Sequence, residues 1–386
     1  MRSKLIFKIR KEKDNHEKII AMIMTGAIAL SLTACSNSSG SAPSPSSNGT
    51  SSGNTAGAAT DKAASDIDTS EYGNLDPVEL VLADSAAKGA AGSTFDELVA
   101  IKVSEITGGQ LTIDTHLNGE LGNDTDLLRQ MQNGDIDIVG CQIAPMVSFI
   151  PELAIFDLPM VFAKHDGDKI DAVLNGDSKT RATLDTAYET AGMHLLGVLQ
   201  NATYRLTTAN VNLETLGDFK ALQIRTMENS NHMAFWTAIG AEPTPLAWAE
   251  VYFALQSGTI DAQENAADTI VGANLSEVQS CLACTNHILY ANQICINKAS
   301  WDALDPAYQS ALEQAVTEAM AEMRTQLSDI DRENKKILED GGMTIINYDD
   351  SFFDEILALD GVRTLYDQID QNTNGLAQIL QDELTQ

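Results

Sequence analysis

From residue 78 to residue 139 short apolar runs alternate with stretches of helical period, and this alternation restricts the fold more than any other feature of the chain. Val78–Ala83 (VELVLA) lies between Pro77 and a polar loop and reads as a buried strand. Ser93 or Thr94 is placed to cap a helix in which Phe95, Leu98, Val99, Ile101 and Ile106 keep a helical rhythm up to Gly108 and Gly109. Gln110–Asp114 alternates as a strand does, Asp124–Gln132 is again helical, and Gly134-Asp135 turns into a third strand, Ile136–Val139. Strand, helix, strand, helix, strand at this spacing predicts an α/β fold with a parallel-rich sheet covered on both faces. Ligands of such sheets sit at the carboxyl ends of the strands. Here those ends are Asp84-Ser85, the segment before Leu121–Asp124, and Gly140-Cys141-Gln142.

A second α/β unit is expected to start near His194–Leu199 and to pass through Tyr204–Thr208 to Leu222–Arg225. Phe235, Trp236 and Ile239, then Val251, Tyr252 and Leu255, predict two further helices. Asp305-Pro306 opens a much longer one, with Leu312, Val316, Met320, Met323, Leu327 and Ile330 in a single stripe that can run to Gly341. Such a helix is roughly 50 Å long, too long for one small lobe, so it should span two. Gly342–Ile346 reads as a late strand, followed by amphipathic helices. The division this suggests is residues 75–202 with 291–330 in one lobe and 203–290 with 331–386 in the other, an arrangement that encloses a ligand between lobes.

The 386 residues carry 24 Lys+Arg against 55 Asp+Glu, for a net charge of -31. That balance argues against nucleic acid as a partner, because phosphate binding needs clustered bases. Seven of the bases, from Arg2 to Lys18, crowd a leader that is followed by the mostly apolar or small Ile19–Leu32 and by Leu32-Thr33-Ala34-Cys35. Residues 1–34 thus read as a secretory signal, and LTAC resembles the lipobox of bacterial lipoproteins, which implies cleavage before Cys35 and a lipid on its sulfur. Residues 35–74 are rich in Ser, Gly and Ala and form a tether, with a reach on the order of 30 to 40 Å.

No G-x-S-x-G, H-E-x-x-H, Walker loop or G-x-G-x-x-G occurs, so nothing supports an enzyme or a cofactor. Cys281-x2-Cys284 with His287 looks like half a zinc site without the other half. On a predicted helix over 274–284 the two cysteines are better read as small buried hydrophobes, and no metal is expected. What stands out is Arg205 and Arg225, each at the polar end of an apolar run and separated by residues that could form a crossover. A guanidinium holds a carboxylate through two parallel hydrogen bonds. The competing explanation is pairing with a nearby acid, Asp218 or Glu228.

Residues 222–265 read LQIRTMENSNHMAFWTAIGAEPTPLAWAEVYFALQSGTIDAQEN, followed by EVQ at 277–279, TNHILY at 285–290 and INKASWDAL ending at Leu304. Upstream stand TGGQLTIDTHLNGELGND at 107–124, NGDIDIV at 133–139 and FIPELAIFDLPMVF at 149–162. From about residue 77 onward the chain resembles the solute-binding proteins of tripartite ATP-independent periplasmic (TRAP) transporters, the DctP-like family. The resemblance implies a two-lobed periplasmic-binding-protein-like α/β fold with a ligand cleft between the lobes and a long helix spanning both. It implies that Arg225 makes the bidentate contact to a substrate carboxylate, that Arg205 is the second arginine of the site, and that Asn265 and Trp248 complete the wall. Ala262 replaces the family's Gly in GTIDAQEN. Asp84, Asp124 and Gln142 fall where first-lobe residues face the cleft, and Glu228 falls at a variable position that could select among carboxylates. The implied ligand is a small organic acid, with acidic and amide groups around the arginine favouring a hydroxylated one such as a sugar acid. The implied partners are the TRAP membrane subunits, reached from an extracytoplasmic, lipid-anchored position. The alternatives are a ligand-binding sensor component and a secreted hydrolase or lyase.

Overall fold

The computed structural model describes residues 69–200 and 203–386. The leader, the LTAC motif with Cys35 and most of the tether lie outside the described residues. In chain order the elements are β1 (Val78–Ala83), α1 (Ala91–Thr107), β2 (Leu111–His116), α2 (Asp124–Asn133) and β3 (Ile138–Gln142). Two 3-10 turns follow, Ala144–Ser148 and Pro151–Asp157, then α3 (Gly167–Leu174), α4 (Lys179–Thr190) and β4 (Met193–Leu199). The chain continues with β5 (Leu206–Ala209), β6 (Gln223–Thr226), α5 (Ser230–Ala238), β7 (Glu242–Pro245), α6 (Trp248–Ser257), β8 (Ala262–Asn265), α7 (Ala267–Gly272) and β9 (Cys281–Ala283). It ends with β10 (Asn292–Asn297), α8 (Lys298–Ala303), α9 (Pro306–Asp340), β11 (Thr344–Ile346), α10 (Asp350–Leu357), α11 (Asp360–Asn372) and α12 (Leu376–Thr385).

These strands form two sheets, one ordered β2-β1-β3-β10-β4 and one ordered β11-β9-β5-β8-β6-β7. The first is parallel across β2, β1 and β3, as the alternation predicts, but β10 returns antiparallel between β3 and β4. β4 therefore closes the first sheet and does not open a second α/β unit near His194. Its apolar MHLLGVL run is buried against α9, where a Cβ on Gly197 would come within 2.9 Å of the Met320 sulfur. In the second sheet β8 separates β5 from β6 and runs antiparallel to one and parallel to the other. The segment between Arg205 and Arg225 is accordingly no crossover between neighbouring parallel strands.

Local chemistry accounts for most element ends. Gly108 ends α1 with φ 62°, in the left-handed region where a residue without Cβ is unstrained. Asp305 accepts from the Ala307 N–H at the start of α9, with Pro306 in the first turn. The start of α1 departs from expectation. Ser93 does not cap it; its hydroxyl accepts from the Gly89 N–H and donates to the Ala87 carbonyl, tightening the preceding turn. The helix begins two residues earlier, and the Ala91 N–H donates to Asp268 of α7 at 2.9 Å.

α9 carries Tyr308, Leu312, Val316, Met320 and Leu327 into the core under the first sheet and Leu338 into a cluster under the second. It spans both. The helix predicted over 274–284 does not form. Asn274 takes φ 54° after α7, a 3-10 turn covers Leu275–Glu277, and Cys281–Ala283 pairs with β5 and β11. Cys141, Cys281, Cys284 and Cys295 are all buried, and none is joined to another described residue. The C-terminal helices tie the layers together: α11 packs on α5, and Glu383 of α12 accepts from the Lys179 and Thr180 N–H groups at the start of α4, at 2.8 and 3.0 Å.

Candidate functional site

β6 is a four-residue strand whose polar end carries Arg225 into the interior between the sheets, only 3% exposed. Its Nε donates to the Leu246 carbonyl at 2.8 Å, and its guanidinium carbon lies 5.5 Å from the centre of the Trp248 ring, at the start of α6. Its Nη1 is buried and has no hydrogen-bond partner among the described residues. Burial pushes the Arg225 pKa down to about 10, with Glu264 and Asp124 opposing that shift and Arg205 adding to it. The group stays charged at neutral pH. A buried cationic N–H without an acceptor is costly unless something anionic fills the place.

Arg205, just before β5, is in a different position. Its Nε donates to the Glu264 carboxylate, its Nη2 to the Glu264 carbonyl at 2.9 Å and to Asn265 Oδ1 at 3.3 Å, and its Nη1 to Gln142 Oε1 at 2.5 Å. Its guanidinium also lies over the Tyr290 ring. The acid that neutralises it is neither Asp218, which accepts from the Thr215 N–H and hydroxyl, nor Glu228. Glu228 does not pair with Arg225 either: β6 ends at Thr226, and the chain turns so that Glu228 is exposed while Asn229 faces inward. Asn229 Nδ2 donates to the Ala144 carbonyl at 3.0 Å and to Asp157 at 2.9 Å, across to the segment that follows β3.

Glu264 is not legible in the sequence as a site residue, yet it is the centre of a fully buried charge network. It receives Arg205, lies 3.3 Å from His287 Nε2 and 3.5 Å from His232 Nδ1, and His232 Nε2 is in turn 3.1 Å from Asp157. Burial alone would lower the His232 pKa, but Asp157 and Glu264 on its two sides raise it to about 9. Burial would likewise raise Glu264; Arg205 and the two histidines overcome this and hold it well below the usual carboxylate range. For His287 burial prevails and the pKa falls, so the neutral ring serves as a hydrogen-bonding wall. Asp157, His232, Glu264 and Arg205 thus form a row of alternating charge that balances itself.

The first lobe faces this with acids. Asp84, at the end of β1, is 3% exposed and accepts from the Ala86 N–H at 2.7 Å. Its carboxyl lies against that of Asp96 from α1, which is packed so closely under β3 that a Cβ on Gly140 would collide with Asp96 Oδ2. Burial raises both, Asp84 to about 7 and Asp96 further, so the pair holds a proton between them at neutral pH. Asp124, at the start of α2, accepts from the Ser85 hydroxyl. Burial raises its pKa, against which Ser85 and the field of Arg225 pull downward. The structure therefore brings together Arg225 with Trp248, Arg205 with Asn265 and Gln142, and Asp84 with Asp124, and leaves Glu228 outside. Asp96 also escapes a reading of the sequence, although an acid on the Phe95, Val99, Val103 and Ile106 face of a helix is a usable signal.

Two lobes on separate sheets, a helix spanning both and a polar cleft lined by strand ends define a two-lobed solute-binding architecture. Residues 82–356 match the model of the bacterial extracellular solute-binding protein family 7, DctP, and the chain belongs to that family. A solute-binding protein of Verminephrobacter eiseniae is 31% identical over 282 residues, 73% of this chain and 82% of the relative. The sialic acid-binding periplasmic protein SiaP of Vibrio cholerae is 30% identical over 60% of this chain and 71% of its own length. Among solved structures, a TRAP periplasmic solute binding protein from Bordetella superposes with a TM-score of 0.71 at 28% identity, covering 79% of this chain and 99% of that one. The family is one of extracytoplasmic solute-binding proteins of TRAP transporters, so the hydrolase or lyase alternative falls. Among the described residues no helix is long and apolar enough to cross a membrane.

Proposed function

We propose that the protein captures a small hydroxylated organic acid in the cleft, with Arg225 holding the ligand carboxylate, Trp248 and Asn265 forming the second-lobe wall, and Gln142, Asp84 and Asp124 meeting the ligand when the lobes close. The observation that carries this reading is the buried, partnerless Nη1 of Arg225 beside an indole face. Arg205 acts differently: held by Glu264, it fixes Asn265 and Gln142 on the cleft wall. The Vibrio cholerae relative, named for an acidic sugar, is consistent with a hydroxylated acid. Closure stabilises the ligand-bound state by its differential affinity, and the closed protein hands its cargo to the TRAP membrane subunits.

Arg225→Ala should weaken binding of the cognate acid by about 3 to 5 kcal/mol, the usual order for breaking one side of a buried ion pair. Calorimetry on a variant with unchanged circular dichroism checks this, and unchanged affinity would remove Arg225 from the site. The basic leader and LTAC support lipid attachment at Cys35. Cys35→Ser should move the expressed protein from the membrane to the soluble fraction; retention in the membrane would exclude that anchor.

A further inference from the structure

Resting on the organic-acid reading above, we propose that the cleft selects a monocarboxylate whose far end donates hydrogen bonds and carries no second negative charge, and that it rejects the matching dicarboxylates. The argument is an inventory of charge around the ligand space. Of the two arginines there, only Arg225 has an unused buried donor; the guanidinium of Arg205 is spent on Glu264, Asn265 and Gln142. The protonated His232 is fully enclosed between Asp157 and Glu264. The strand-end loops of the first lobe, residues 84–90, 117–123 and 143–150, contain one base, Lys88. It points outward, 63% exposed and 3.7 Å from Glu97.

Opposite Arg225 stands Asp124, beside Asp84 with Asp96 behind it, and among the described residues no cation other than Arg225 is paired with these three carboxyls. Asp84 and Asp96 lie against each other under β3, and Asp124 is held by Ser85. Among the described residues nothing donates a hydrogen bond to the buried Asp96 Oδ2, and burial is the largest cause of the raised pKa of all three carboxyls, opposed by the field of Arg225 only at Asp124. A ligand whose single carboxylate pairs with Arg225 adds no uncompensated charge, and hydroxyl or ammonium groups at its other end can donate to the lone pairs of Asp84 and Asp124. A second carboxylate would be brought against Asp124 and the one negative charge left on the proton-sharing Asp84–Asp96 pair with nothing to neutralise it, which is discrimination by repulsion. Asp84 and Asp124 are thus the specificity-determining residues, and Asp96 positions Asp84.

The test is a thermal-shift and calorimetry panel on the purified protein that pairs D-gluconate, D-galactonate and D-glucuronate with D-glucarate and D-galactarate, and adds L-malate, succinate and L-glutamine. A hydroxylated monocarboxylate should bind at least tenfold more tightly than its aldarate, and Asp124→Asn, alone or with Asp84→Asn, should narrow that ratio to about threefold or less. Tighter binding of glutamine than of any aldonate would place its carboxamide N–H groups at the acidic wall and still support the selection. An aldarate, malate or succinate binding as tightly as the best monocarboxylate overturns the proposal and leaves the organic-acid reading standing, as does an unchanged ratio in Asp124→Asn. Binding of none of these compounds overturns both.

Discussion

Under the proposed function, the residues that hold the site together are not the ones that would touch the ligand. Glu264 engages Arg205 and leaves Arg225 to take the anion; Glu264 in turn keeps its charge in a dry interior because Arg205 and the protonated His232 stand beside it. The consequence is a dependence of stability on pH with a definite sign. The His232 pKa rises from about 6.5 unfolded to about 9 folded, so its contribution is fully present below pH 6.5 and is lost as pH rises through about 9. Asp84, raised from 3.8 to about 7, also makes stability fall with rising pH, but in the lower window between those values. The melting temperature of the wild type should therefore keep falling between pH 6.5 and 9, by a stability change on the order of 3 kcal/mol from His232. In His232→Gln, which can still donate to Asp157, that upper limb should flatten while the fall from about pH 4 to 7 remains. An equal slope from pH 6.5 to 9 in both proteins would show that His232 does not titrate there.

At the scale of elements, what is legible in the sequence is what is determined locally. β1, α1, β2 and α2 announce themselves through period, and α9 through Asp305-Pro306 and a single apolar stripe, because caps and amphipathic faces depend on residues a few positions apart. Pairing between distant segments leaves no such mark. Nothing in Asn292–Asn297 says that it will run antiparallel between β3 and β4, although its burial on both faces follows directly from that place. Cys281–Ala283 is too short to display a strand period, and the start of α1 is capped from a residue 177 positions away. The site divides in the same way. With 24 bases against 55 acids, an arginine at a strand end has contrast and draws the eye, whereas Glu264 and Asp96 are acids among many and only burial distinguishes them. Glu228 departs from expectation because strand phase does not extend past Thr226, where β6 stops.

In the whole molecule the start of α1 couples local structure to the relation between lobes. Ala90, in the cap position, offers no side chain to the exposed N–H groups of a 17-residue helix, and the acceptor comes instead from Asp268 on the second lobe. A carboxylate at a helix N-terminus is favoured by both the hydrogen bond and the helix dipole. If the lobes part on ligand release, as the proposed function requires, this cap exists only in the closed form. Asp268→Ala should then destabilise closure by about 1 to 2 kcal/mol and speed ligand dissociation about 5- to 30-fold. Association should change little, and so should the melting temperature without ligand, since the open form never contains the bond. Stopped-flow dissociation of bound ligand, with a thermal melt of the ligand-free variant beside it, separates the cases. A variant that melts earlier without ligand but releases it at the wild-type rate would make Asp268 part of the static scaffold, and the lobes would need another latch, for which the Asn229 bonds to Ala144 and Asp157 are the next place to cut.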